Sequence, residues 1–151
     1  MRGTAERVSQ EVTDNFVYQG SRLAYVEASR RVSGRVLEIG TGSGYGISII
    51  APVATEFVTV DKYRSEATES LPTNVTFREA KVPPLPFEDE SFDYVVSFQV
   101  IEHISNDKRF IEEVLRVLRP GGKFIVSTPN KPMSLTRNPW HVREYRPEQL
   151  R

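Results

Sequence analysis

The residues with the most pointed chemistry in this chain sit at the ends of short apolar runs. The first group is Val36-Leu37-Glu38-Ile39-Gly40-Thr41-Gly42-Ser43-Gly44-Tyr45-Gly46. An apolar strand carries one acidic residue near its end and then breaks into a loop with glycine at every second position. Such a loop brings bare backbone close to a ligand, and the helix that follows offers free N–H groups. A dinucleotide fingerprint reads G-x-G-x-x-G, its third glycine packing the new helix on the strand. Counted from Gly40, that third place is held by Tyr45, so the spacing departs from the nicotinamide pattern. The bland alternative is a strand–turn–helix joint whose glycines serve sterics alone. The second group is Asp61, roughly twenty residues after Gly40, where a carboxylate can accept both ribose hydroxyl protons or merely cap a turn. The third is the pair His103 and His141, the only histidines in the chain and so the candidates for a general base near neutral pH. A structural, hydrogen-bonding histidine is the competing reading for each.

These groups need elements to hold them, and the apolar spacing supplies a set. Val8 with Val12, and Leu23 with Val26, stand at helical intervals. They suggest a loose first helix, a break near Gly20, and a second helix from Ser21 to Arg31 stopped by Gly34. Arg35–Ile39 reads as strand one, nearly continuous in apolar residues as a strand covered on both faces should be. Tyr45–Ala51 reads as a helix ended by Pro52. Glu56–Val60 is strand two, Arg64–Leu71 a short polar helix, Val75–Glu79 strand three and Asp93–Phe98 strand four. Lys81–Pro86 is too rich in proline for regular structure. In Asp107–Leu118, Phe110, Ile111, Val114, Leu115 and Leu118 fall on one helical face. Pro120-Gly121-Gly122 reads as a turn and Lys123–Thr128 as strand five. Strands alternating with helices give an α/β, doubly wound, mostly parallel sheet.

Composition bounds the partners. The chain has 151 residues, enough for one domain and one core. Its formal charge is zero, so nothing long-range draws it to nucleic acid or an anionic membrane. It has no cysteine, which excludes disulfides and thiolate metal sites. No apolar run approaches the ~20 residues that span a bilayer, and a cytoplasmic protein is expected.

The glycine loop, with an acidic residue two before its first glycine, resembles motif I of the class I S-adenosylmethionine-dependent methyltransferases. The run Leu85-Pro86-Phe87, Ser91-Phe92-Asp93-Tyr94-Val95-Val96 and Glu102-His103 resembles the LPF…SFDVV…LEH segment of the type 11 branch. Leu118-Arg119-Pro120-Gly121-Gly122-Lys123 is similar to its L-K/R-P-G-G turn. The resemblance runs from about Gly34 to Asn130 and implies a Rossmann-like fold with S-adenosylmethionine as cofactor. It implies that Glu38, Gly40, Thr41, Gly42 and Gly44 hold the methionine end and that Asp61 and Lys62 meet the ribose. Ala80, Lys81 and Val82 would frame the adenine, Lys81 standing where the family has an acidic or polar residue, and Gln99 would close the pocket. Such enzymes normally continue into two further strands. Five are recognisable here, so a truncated chain with an unpaired sheet edge is expected.

The division that follows is an N-terminal helical lid or flank over 1–33, a cofactor-binding α/β core over 34–130, and an acceptor-side loop with the start of a helix over 131–151. Tyr18 and Arg22 in the first part, and Trp140, His141 and Tyr145 in the last, are candidates to line an acceptor site; packing roles are the alternative. Glu102 and His103 are expected to begin the helix after strand four. In ubiquinone-pathway O-methyltransferases a similar segment carries a further Glu and can hold a divalent cation. Here that position is Gln99, and one oxygen with one nitrogen makes a poor hard-cation site, so no metal is expected. The expected activity is methyl transfer to a small-molecule or glycan-like acceptor. The alternatives are a cofactor-binding module without catalysis and, less favoured, a nicotinamide-dependent oxidoreductase.

Overall fold

The computed structural model describes residues 15–134 and 138–150, with side chains from residue 19 onward. Five strands form one sheet, β1 (Arg35–Ile39), β2 (Glu56–Asp61), β3 (Val75–Glu79), β4 (Phe92–Phe98) and β5 (Leu118–Ser127), in the order β3-β2-β1-β4-β5. All four pairings are parallel. The doubly wound arrangement expected above is therefore the one observed. Helices α1 (Asn15–Ser29), α2 (Tyr45–Ile50) and α3 (Asp107–Val117) cover the faces. Parallel strands need both faces covered, which is why Val36, Leu37, Ile39, Val60, Val95 and Val96 are all buried. On one face Tyr25, Ala28, Ile47 and Ile50 pack over Val36, Phe57 and Val96. On the other, Phe110, Val114 and Val117 of α3 pack over Leu37, Val58 and Val95.

Several local expectations change. The helix of residues 8–12 lies outside the described residues, and Gly20 does not break the next one, since α1 runs from Asn15 to Ser29 without interruption. Gly20 costs helix propensity, but the packing of Tyr25 and Ala28 outweighs it. Residues 64–71 shrink to a 3-10 turn at Glu66–Thr68, closed by reciprocal Ser65–Thr68 hydrogen bonds. Glu102 and His103 do not begin the long helix. They form a separate 3-10 turn, Ile101–His103, and α3 starts only after Asn106, whose side chain accepts the Arg109 N–H at 3.1 Å. Pro120-Gly121-Gly122 is an insertion within β5: the partner of Phe92 is Leu118, whereas the partner of Tyr94 is Lys123. Gly121 takes φ 80°, and a Cβ on Gly122 would stand 2.8 Å from the Arg119 carbonyl and 3.0 Å from that of Asp93.

The segment between β3 and β4 is clamped from α3. Arg116 donates to the carbonyls of Leu85 (3.0 Å) and Phe87 (2.8 Å) and to Asp89 Oδ1 (2.7 Å). Glu113 accepts the Leu85 N–H at 2.7 Å and pairs with Arg116. Among the described residues β5 pairs only with β4 and β3 only with β2, so these two strands form the open edges of the sheet. No described helix is long and apolar enough to cross a membrane.

Gly20 offers a direct check on the continuous α1. An added methyl there meets nothing within 4 Å, so Gly20→Ala is expected to stabilise the protein by about 0.5–1 kcal/mol through helix propensity and reduced unfolded-state freedom. A higher urea midpoint at constant slope would show this. A lower midpoint would mean that the helix is broken at Gly20 after all.

Candidate active site

The parallel sheet brings the carboxyl ends of its strands to one side, and the sequence places its chemistry there. Gly40 follows β1, Asp61 ends β2, Ala80 follows β3 and Gln99 follows β4. Together they line a cavity of about 480 Å³ beside the crossover between β1 and β4. Thr41, Gly42, Lys62, Lys81, Val82 and His103 also line it. The loop is shaped by glycine. Gly40 takes φ 94° and a Cβ there would meet Val100 Cγ2 at 2.5 Å, while Gly42 takes φ 52° and faces open space. Gly42 N–H donates to Asp61 Oδ2 at 3.0 Å, and Tyr63 N–H to Asp61 Oδ1 at 3.2 Å, so backbone donors fix the carboxylate at the rim. Gln99 is a non-glycine residue at φ 56°, held by its N–H on the Ser127 carbonyl at 2.9 Å. An outlier of that kind costs free energy and points to a functional position.

Two residues expected at the cofactor, one in β1 and one in the loop, stand elsewhere. Glu38 does not line the cavity. It is 1% exposed, its oxygens accepting hydrogen bonds from the Tyr25 phenol (2.6 Å) and from Thr59 Oγ1 (2.5 Å), which in turn shares a 2.6 Å bond with Thr41. An apolar strand with one carboxylate demands such donors, since an unpaired buried charge is costly. Gly44 caps α2, and a Cβ there would collide with Ala67.

The acceptor-side candidates divide. Tyr18 lies on α1, outside the residues whose side chains are described. Arg22 is exposed and does not line the cavity, and the same holds for Trp140, 59% exposed. Tyr145 is buried, and its phenol donates to Asp107 Oδ2 at 2.9 Å, an anchoring contact and not a cavity wall. His103 and His141, far apart in sequence, stand edge to face with ring centroids 5.1 Å apart. The Glu102 carbonyl brings them together by accepting the N–H groups of Val142 (2.7 Å) and Arg143 (3.2 Å). Sequence reasoning missed Tyr25, Tyr45, Asn106 and Arg109 as lining residues. Of these only Tyr25 left a signal, the helical interval Tyr25–Ala28–Val32 facing a strand that carries Glu38.

Fold and cavity define a doubly wound nucleotide-cofactor domain of the Rossmann-like kind. A methyltransferase domain is matched over residues 37–126, and the chain belongs to that family, whose cofactor is S-adenosylmethionine. It is 39% identical to a probable S-adenosylmethionine-dependent methyltransferase of Mycolicibacterium smegmatis, over 91% of this chain and 56% of the relative. It is 38% identical to one of Mycobacterium tuberculosis, over 97% of this chain and 57% of the relative. Among solved structures, the YcgJ protein of Bacillus subtilis superposes with a TM-score of 0.72 at 27% identity, covering 87% of this chain and 64% of that one. The chain thus spans a little over half the length of the curated relatives it matches. The cavity suits the cofactor: a rim carboxylate for hydroxyls, apolar Ile39, Val60, Val82 and Val100 for a base, and open space above Gly42 that any side chain would fill.

The Glu38 cluster has a measurable pH signature. Burial pushes its carboxyl up to about 7 from an ordinary 4.5, against the opposing bonds from Thr59 and Tyr25. The folded protein therefore holds this proton more tightly than the unfolded chain. Its contribution is full below pH 4.5 and is lost as the pH rises to about 7, a change of about 3 kcal/mol. Glu38→Gln removes that term, so urea midpoints across this interval should fall with rising pH in the wild type and fall less in the variant. Parallel curves would show that the carboxyl titrates normally.

Proposed function

We propose that this chain is the cofactor-binding part of an enzyme that transfers the methyl group of S-adenosylmethionine to a small-molecule or glycan-like acceptor. The observation that carries the reading is the convergence of Asp61 and the open Gly42 backbone on one cavity at the strand ends. When bound, the cofactor supplies a methyl group on a positively charged sulfur, so what remains for the protein is alignment and exclusion of water. The Gly40–Gly42 backbone and Thr41 take the methionine end. Asp61 keeps acceptor capacity beyond its two backbone bonds, since a carboxylate has about four lone-pair sites, and these receive the ribose hydroxyls beside Lys62. Ala80, Lys81 and Val82 flank the base, and Gln99 closes the wall between them.

On the acceptor side, His103 reaches the cavity. Its Nδ1 lies 2.8 Å from the Trp140 carbonyl, which can only accept. Nδ1 therefore carries a proton, and in the neutral ring Nε2 keeps its lone pair. That makes His103 the better-placed proton acceptor for a hydroxyl, with His141 behind it.

The test is binding followed by transfer. S-adenosylhomocysteine should raise the melting temperature and NAD should not. Asp61→Asn should weaken S-adenosylhomocysteine by about ten- to a hundredfold in calorimetry, the worth of one or two charged hydrogen bonds. Stabilisation by NAD alone would overturn the reading. Binding without transfer of labelled methyl to any of a panel of sugar, phenol and carboxylate acceptors would favour a module that holds the cofactor and does not catalyse.

A further inference from the structure

Next to the cavity lies a cluster that cofactor binding leaves unused. Glu102 is 1% exposed; its Oε2 accepts from Thr128 Oγ1 at 3.1 Å, while its Oε1 is buried and meets no donor among the described residues. A buried carboxylate oxygen without a partner is costly. Facing it are His103 and His141, and one ligand atom from each of the three residues lies within 4.8 Å of the others.

Both imidazoles are prepared in the same way. His103 Nδ1 is held by the Trp140 carbonyl at 2.8 Å, and His141 Nδ1 by Glu144 Oε1 at 2.9 Å. Both oxygens accept, so both Nδ1 atoms donate, and in the neutral rings each Nε2 keeps the lone pair that a metal needs. A carboxylate or carbonyl behind a histidine is the arrangement that orients imidazole towards a metal ion.

We infer that Glu102, His103 and His141 form a site for a divalent first-row transition ion, with coordination positions left open towards the cavity. Two nitrogens and one carboxylate favour zinc-like ions over magnesium or calcium, which prefer all-oxygen shells. Ligand atoms around such an ion sit about 3.4 Å apart for bonds near 2.1 Å, so the three side chains close inward on the ion and leave its fourth position open. The third ligand comes from the loop after β5, which is why Gln99, uncharged and on another element, does not decide the matter. The metal site stands without the methyltransferase reading. Resting on that reading, the ion would bind an acceptor hydroxyl and favour its ionised form, as metals do for bound water, and with the ion bound His103 serves as a ligand and not as the proton acceptor.

The experiment is titration of the chelator-treated chain with Zn²⁺ alone, followed by calorimetry. The chain has two histidines, both in this cluster, and no cysteine, so background sites are weak. One equivalent should bind. His141→Ala and His103→Ala should each cost at least a hundredfold in affinity, and Glu144→Gln, which touches no metal, about ten- to a hundredfold. His141→Ala and Glu144→Gln, which do not line the cavity, are checked for unchanged S-adenosylhomocysteine binding, and His103→Ala, which does, for an unchanged urea midpoint, which separates loss of the site from loss of the fold. Absence of stoichiometric binding, or binding that survives both histidine variants, overturns the inference whatever becomes of methyl transfer.

Discussion

One buried carboxyl organises the cofactor side of this protein. Glu38 sits in the central strand, where its neighbours Leu37 and Ile39 are apolar and buried. Its oxygens can be kept there only by donors from elements that pack on that face. Tyr25 comes from α1 and Thr59 from β2, and Thr59 passes the connection to Thr41 in the glycine loop. The same carboxyl sets a steric condition on α2. A Cβ on Gly46 would collide with Glu38 Oε1 and lie 2.7 Å from the Tyr25 ring, so the helix can approach only as glycine. A single polar group thus sets the position of one helix, the approach of another and the anchoring of the loop, because leaving it unpaired would cost several kcal/mol.

The opposite face is tied by a different device. Arg116 and Glu113 project from α3 to the backbone of residues 85–89, with Arg116 paired to Asp89 as well. Backbone groups in a proline-interrupted segment cannot pair with a ladder, so side chains satisfy them. This holds the segment that leaves the Ala80–Val82 wall close to the core, where Leu85 and Phe92 are buried. One face is therefore governed by a buried acid and the other by a guanidinium at the surface. The cavity lies at the strand ends between them.

The architecture was legible because parallel strands between two helical layers must be nearly all apolar, and Arg35–Ile39, Glu56–Val60 and Asp93–Phe98 read that way. The helix signals were weaker where packing overrides propensity, as at Gly20, and where polar composition hid a 3-10 turn, as at Glu66–Thr68. Asp61, Gly42 and Ala80 could be placed at the cavity because strand ends are fixed by topology. Glu38 could not, since a period-two pattern assigns it to a face without saying which helix covers that face or brings the donors. The meeting of His103 with His141 was beyond sequence reasoning for a related reason. It depends on Val142 and Arg143 donating to one main-chain carbonyl across a loop of irregular structure, and neither contact leaves a mark in residue type or spacing.

That loop contact also separates two kinds of knowledge about the site. The cofactor wall is built from strand ends, whose positions follow from hydrogen-bonded register. Beside it stand a 3-10 turn and residues 138–145, docked through the Glu102 carbonyl, the Arg143 and Tyr145 contacts to Asp107 (2.7 and 2.9 Å), and the Asn130–Tyr145 bridge. Three of these four attachments use side chains or carbonyls that belong to the start of α3 and the turn before it. A shift of that turn would move His103 and His141 together while leaving the Gly40–Gly42 loop and Asp61 in place. The glycine-loop side of the cavity and the histidine pair are accordingly separable in this fold. The first is set by the sheet and the Glu38 cluster, and the second by whatever holds the turn at Ile101–His103 in position.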